Sequence, residues 1–164
     1  PDDAFALRIE QEQTLIELWE ATRHSGNELL IEVILPAKHG HAGDDDSAIV
    51  RAVKRLYNLG LKPEWWKLAP MKASGWQALG ALIYARDPHC RGAVILGLNQ
   101  PLAPLAASFR EATHPIVKGF MVGRTLWATP SLRWLRGEID DAALVNEVAQ
   151  NYGVLVDAWR KRKA

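Results

Sequence analysis

The chain has 164 residues, 48% of them hydrophobic and 24% charged, which suits one domain with a real core. Twenty Lys+Arg against nineteen Asp+Glu leave a net charge of +1, which argues against a nucleic-acid surface or an acidic tail. One cysteine, Cys90, excludes an internal disulfide framework and suits a reducing compartment, the cytoplasm, and no apolar run approaches the ~20 residues that span a bilayer.

The chain opens at Pro1 rather than Met and reads as a piece of something longer. A helix is predicted from about Ala4 to His24, with Leu7, Leu15, Leu18 and Trp19 near helical spacing and Gly26 where a C-cap belongs. Glu28 to Pro36 (ELLIEVILP) reads as a strand stopped by proline. Asp44, Asp45, Asp46 and Ser47 offer N-caps for a helix to Leu59, with Val50, Val53, Leu56 and Tyr57 inward and Gly60 as the stop. Pro63 to Pro70 (PEWWKLAP) is a second strand, and Ser74 caps a helix to about Arg86. Gly92 to Asn99 is a third strand, Pro104 to Ala112 is helical, and Pro115 to Gly123 is a fourth strand. A short helix follows at about Thr129 to Arg136. A long one starts behind Asp140, carries Leu144, Val148, Leu155 and Trp159, and ends in a basic run, Arg160 to Lys163, that suits its dipole.

Strands alternating with helices predict a parallel sheet with crossover helices, and runs such as GAVILGLN fit a sheet buried on both sides. Four strands do not close a barrel, which takes eight strands and ~250 residues. Periodicity leaves open an open sheet and half of a barrel.

Three charges interrupt these apolar runs: Glu32, Lys67 and Lys118. Alternation groups Glu32 with Leu30 and Ile34, Lys67 with Trp65 and Ala69, and Lys118 with Ile116 and Phe120. If those are the inner faces of one sheet, a carboxylate and two amines converge in an apolar enclosure. A lysine attacks a ketone only as the neutral amine, a form that desolvation or a second cation favours. A nearby carboxyl can move protons as the carbinolamine loses water and a C–C bond breaks. The alternative is a structural ion pair.

The fourth strand runs through Gly119 to Gly123 and Arg124. Glycine at a strand end lets backbone N–H groups approach an oxyanion, a helix start adds partial positive charge, and Arg124 can grip phosphate with two hydrogen bonds. Gly97, ending the third strand, would complete the cradle, and Lys118 is either a neighbour of the reacting amine or a second phosphate contact. His39 and His41 near Asp44 to Asp46 match no established metal-ligand spacing and read as a polar loop with a helix cap, so no metal and no cofactor is expected, with a metal-dependent enzyme at His39 and His41 as a third reading. Cys90 lacks an adjacent base and reads as a structural thiol.

The segments IEVILP around Glu32, WWKLAP around Lys67, ILGLN around Gly97, GFMVGRTLW around Arg124 and the closing DAWRKRK resemble, in order, class I tagatose-bisphosphate aldolases. The PDD opening, DPHCRG and PIVKGFMVGRT are similar to the aldolase-like domain fused behind 5-dehydro-2-deoxygluconokinase in bacterial inositol catabolism. The resemblance covers essentially the whole chain, residues 1–164. It implies an α/β fold, a (β/α)8 TIM barrel of which this chain carries the C-terminal half as four βα units. It implies Lys67 as the Schiff-base lysine, Glu32 as acid/base, and Gly123 and Arg124 at the phosphate-binding end of the last strand, to which the reading of the strands adds Gly97, Lys118 and Gly119 as phosphate-site candidates. The implied reaction cleaves 6-phospho-5-dehydro-2-deoxygluconate to dihydroxyacetone phosphate and malonate semialdehyde. Implied partners are that phosphorylated sugar acid and a fused sugar-kinase domain; charge and hydropathy point to neither nucleic acid nor membrane, and a homo-oligomer stays open. Two departures from the tagatose pattern, Ala69 in place of an acid and Gly97 in place of a serine, leave a non-catalytic phosphosugar-binding or regulatory domain as the alternative.

Overall fold

Gly26 and Gly60, with φ of 71° and 85°, end the first two helices in the left-handed conformation that such caps require. The computed structural model describes residues 5–35 and 46–162. Its elements are α1 (Phe5–Ser25), β1 (Leu30–Glu32), α2 (Asp46–Asn58), β2 (Trp65–Leu68), α3 (Ala73–Arg86), β3 (Gly92–Leu96), α4 (Leu102–Ser108), β4 (Val117–Met121), α5 (Arg124–Leu135) and α6 (Asp141–Lys161). A 3-10 turn, Phe109–Glu111, continues α4. The four strands pair in parallel in the order β1-β2-β3-β4, so the alternation of strand and helix is an α/β sheet of βα units.

One face of the sheet carries the core. Ile31, Trp66, Leu68, Ala93, Ile95 and Val117 are buried together with Ile49 and Val53 of α2, Leu79 and Ile83 of α3, Leu105 of α4 and Leu155 of α6. Each large apolar side chain buried this way contributes about 1.5–3 kcal/mol relative to exposure. Trp66 is fully buried, and its indole N–H donates to the Tyr57 hydroxyl at 3.0 Å. Burial is the main cause that holds the Tyr57 phenol well above its ordinary pKa. Phe120 stacks on Phe109 with ring centres 5.2 Å apart and meets Trp159 edge-on. Glu12 on α1 receives two hydrogen bonds of 2.8 Å from Arg55 on α2 and ties the first helix to the second.

The other face differs from the expectation of a sheet covered on both sides. Leu30, Glu32, Trp65, Lys67, Val94 and Met121 point there and are half-buried or exposed; Leu96, opposite Met121 on the same face, is buried. The free edge of β1, between α1 and α2, borders a cavity of about 540 Å³ with an apolar lining that includes Leu7, Leu15, Ile31, Val33 and Leu35. No described helix is long and apolar enough to cross a membrane.

Three further expectations change. Ser74 lies inside α3, and the free N–H groups at that helix start are met from a distance: Asp46 accepts from Lys72 N and Glu111 from Ala73 N, both at 2.9 Å. Helix α5 begins at Arg124, not near Thr129, and runs through Pro130. Proline removes the N–H that would bond the Leu126 carbonyl four residues back, and Asn151 of α6 donates to that carbonyl instead, at 2.8 Å. Lys118 does not share a face with Phe120. The register passes from Ala93 opposite Val117 to Val94 opposite Gly119, so Lys118 is the extra residue of a β-bulge. The Asp140 cap stands as expected, accepting from Ala143 N at 2.8 Å. The cap candidates Asp44 and Asp45 and the strand stop Pro36 lie outside the described residues.

Candidate active site

Glu32 closes β1 and Lys67 sits in β2, and the parallel register places them directly opposite each other. Both side chains therefore leave the sheet on its uncovered face, beside Leu30 and Trp65. Lys67 Nζ lies 3.2 Å from Glu32 Oε1, with the lysine side chain 20% exposed and the glutamate 37%. A charged pair of this exposure contributes little to stability. Its position, on an apolar face at the C-terminal side of parallel strands, is where α/β proteins carry out chemistry. The pair can exchange a proton directly, and Glu32 also lines the cavity beside the edge of β1. Trp65 lines the same face, its indole N–H held by Glu28 at 2.9 Å.

A second cluster forms where β3 and β4 end. Gly97 follows β3, and a Cβ there would lie 2.9 Å from Val122 Cγ1 and 3.0 Å from Thr125 Oγ1. Its lack of a side chain thus lets the β4–α5 connection close on the end of β3. Gly123 is the N-cap of α5 and supplies no side-chain hydrogen bond, and Arg124 is the exposed first residue of that helix. Helix α3 has its leading N–H groups taken by Asp46 and Glu111, whereas α5, like α4, starts without a side-chain cap and can offer backbone donors to an anion.

The remaining expected residues fall elsewhere. Gly119 lies mid-strand on the open face, with nothing within 4 Å of an added Cβ. Lys118 lays its chain across Gly92, its Cγ 2.6 Å from where a Cβ on that glycine would stand. Gly92 pairs with Trp65, so Lys118 shares the face of Lys67 but sits toward the N-terminal ends of the strands, away from Arg124. Ala69 is buried, with 4% exposure. His39 and His41 lie outside the described residues, and among the described ones no group of three metal-binding side chains forms. The Cys90 thiol is half-buried, and burial pushes its pKa up, away from a reactive thiolate.

Sequence reasoning missed the turn after Gly97. Leu98 and Asn99 have φ of 45° and 58°, the only positive values outside glycine among the described residues. Asparagine tolerates this conformation, which gave a signal; leucine gave none.

No curated protein matches the chain. The model of the family DUF2090, described as an uncharacterized protein conserved in bacteria, matches residues 1–163, and the chain belongs to that family.

Proposed function

We propose that the four βα units are the C-terminal half of a (β/α)8 barrel and that the protein is a class I aldolase acting on a phosphorylated keto-sugar acid. The barrel reading is supported by the edges of β1 and β4, unpaired among the described residues, and by the half-buried and exposed residues of the second face, surfaces that four further strands would cover. The aldolase reading is carried by one observation: Lys67 Nζ stands 3.2 Å from the Glu32 carboxylate on that face.

The chemistry follows from the pair. Glu32 accepts a proton from Lys67, whose amine attacks the substrate ketone. The carbinolamine loses water, with Glu32 returning the proton that leaves with it, and a protonated imine results. For 6-phospho-5-dehydro-2-deoxygluconate the C3–C4 bond breaks. Its electrons move into the imine as an enamine, and the C3 hydroxyl gives its proton to Glu32 as malonate semialdehyde forms. The enamine takes a proton at C4, and water releases dihydroxyacetone phosphate from Lys67. Arg124 and the free N–H groups at the start of α5 hold the phosphate.

Borohydride reduction in the presence of dihydroxyacetone phosphate tests this. Label on Lys67, lost in Lys67→Met and indifferent to EDTA, is the expected result; label on Lys118, or none, refutes it. Ala69, buried and without a carboxyl, favours a second reading in which a phosphosugar is bound but not cleaved. Binding that survives Lys67→Met without any turnover in the unaltered protein would select it.

A further inference from the structure

The pairing of the strands lays out the face of Lys67 in rows. Leu30, Trp65 and Gly92 stand side by side at the N-terminal end, and Glu32, Lys67, Val94 and Gly119 form the next row. The β-bulge decides what β4 brings to each row. Without the extra residue Lys118 would stand opposite Val94, level with Lys67. With it, Gly119 takes that place and Lys118 drops toward Gly92, whose missing side chain lets the lysine stem cross β3: a Cβ there would lie 2.6 Å from Lys118 Cγ and 3.2 Å from Cε. Gly119 is not in the left-handed region, and nothing stands within 4 Å of an added Cβ. Neither conformation nor crowding asks for glycine there, and glycine weakens a strand interior. Its effect is to leave a hollow in the row of the amine.

The charges on this face do not balance. Glu32 is paired with Lys67, and Glu28, at the foot, with Arg91. Lys118 is exposed and meets no carboxylate among the described residues. From the N-terminal to the C-terminal side of the sheet the order is therefore a cation without an anion, the amine, and the start of α5 with Arg124. A phosphorylated keto-sugar acid presents the matching order of carboxylate, ketone and phosphate. Rows on one face are about 6.6 Å apart. Four carbon–carbon bonds of an extended chain span about 5 Å. A carboxylate four bonds from the imine carbon thus comes within reach of the Lys118 ammonium while the phosphate points the other way.

We infer that Lys118 is the specificity-determining residue that binds the substrate carboxylate, reached through the hollow at Gly119, so that the site selects acids over neutral keto-sugar phosphates. This rests on the aldolase reading and gives the acid end of its substrate a partner that the reading does not name.

The test compares steady-state cleavage of 6-phospho-5-dehydro-2-deoxygluconate with borohydride trapping by dihydroxyacetone phosphate, which carries the ketone and the phosphate but no carboxylate. Lys118→Met keeps the aliphatic stem and removes the charge. It is expected to raise KM for the acid by about ten- to a hundredfold, the equivalent of one charged hydrogen bond, and to leave the ligand concentration for half-labelling of Lys67 unchanged. Lys118→Arg is expected to recover most of that loss. Gly119→Val fills the hollow and suits a strand, and is expected to raise KM for the acid with Tm unchanged or raised. Equal effects of Lys118→Met on the two ligands, or no effect on either, overturn the inference. So does a fall in its Tm at unaltered KM, which would assign the ammonium to a carboxylate of the protein, and so does an unaltered KM in Gly119→Val. Trapping at Lys67 by a protein that does not cleave the acid overturns this inference alone. Failure of the unaltered protein to trap at Lys67 overturns the aldolase reading itself.

Discussion

The imidazole of His114 occupies the space that a side chain at Gly80 would need. A Cβ built on Gly80 lies 2.1 Å from His114 Cε1 and 2.6 Å from Nε2. Gly80 is buried in α3, and His114 stands in the loop that leads to β4, its ring 6.0 Å from that of Tyr84. The glycine is thus a notch that seats the loop. Gly80→Ala is expected to cost about 1–3 kcal/mol in urea unfolding, as overpacking does. Adding His114→Ala should recover part of that loss, a coupling that the double-mutant cycle reads directly.

The same histidine makes stability depend on pH. Its Nδ1 accepts from Ile116 N at 3.1 Å, and burial holds the ring below its ordinary value of 6.5. Between the lowered folded pKa and 6.5 the unfolded chain binds more protons, so stability present above pH 6.5 is lost as pH falls through the folded value. Glu12 adds a second, more acidic loss. Its hydrogen bond to Arg55 is the largest cause that holds the carboxyl below 4.5, and that contribution goes as pH falls further. Urea midpoints from neutral pH downward should show both steps. His114→Gln should flatten the first and leave the second.

Asn151→Ala removes the donor that serves the Leu126 carbonyl. With that carbonyl left half-buried and unpaired, the change is expected to cost about 1–3 kcal/mol. Pro130→Ala restores a backbone N–H in register with it. In that background the Asn151 substitution should cost clearly less, and equal costs in the two backgrounds would show that the two residues act independently.

Lys67→Met should abolish imine trapping yet change unfolding free energy by less than about 1 kcal/mol, because both members of the pair are partly exposed. Glu32→Gln keeps the amine and removes the proton carrier. A fall of about 10²–10⁴ in turnover, with imine trapping slowed but still falling on Lys67, is the expected signature.

Much of the fold was legible because its signals are local. Gly26, Gly60 and Asp140 mark helix ends within a residue or two of where the chain turns. The Glu32–Lys67 pair was legible for a similar reason: a charge inside a short apolar strand has few places to go, and adjacent parallel strands set it beside its partner. What escaped depends on residues far away in the chain. The caps of α3 come from Asp46 and Glu111, and the carbonyl freed by Pro130 is met by Asn151, so the local reading placed a helix start near Thr129 that does not exist. The bulge at Lys118 shifts a face without a glycine or proline at the extra residue to announce it. The open second face was half legible: Leu30, Trp65 and Val94 read as core, while Glu32, Lys67 and Lys118 on the same face broke that pattern.

The loan of a hydrogen bond from Asn151 also bears on the order in which the C-terminal region assembles. Helix α5 by itself has a hole in its ladder at Leu126, and only docking of α6 closes it. Arg133 with Glu147 at 2.6 Å and Trp134 with Asp141 at 2.7 Å join the same two helices. The smallest piece that is whole is therefore the helical hairpin, not either helix. Amide hydrogens in the middle of α5 should exchange together with those of α6, in one cooperative opening.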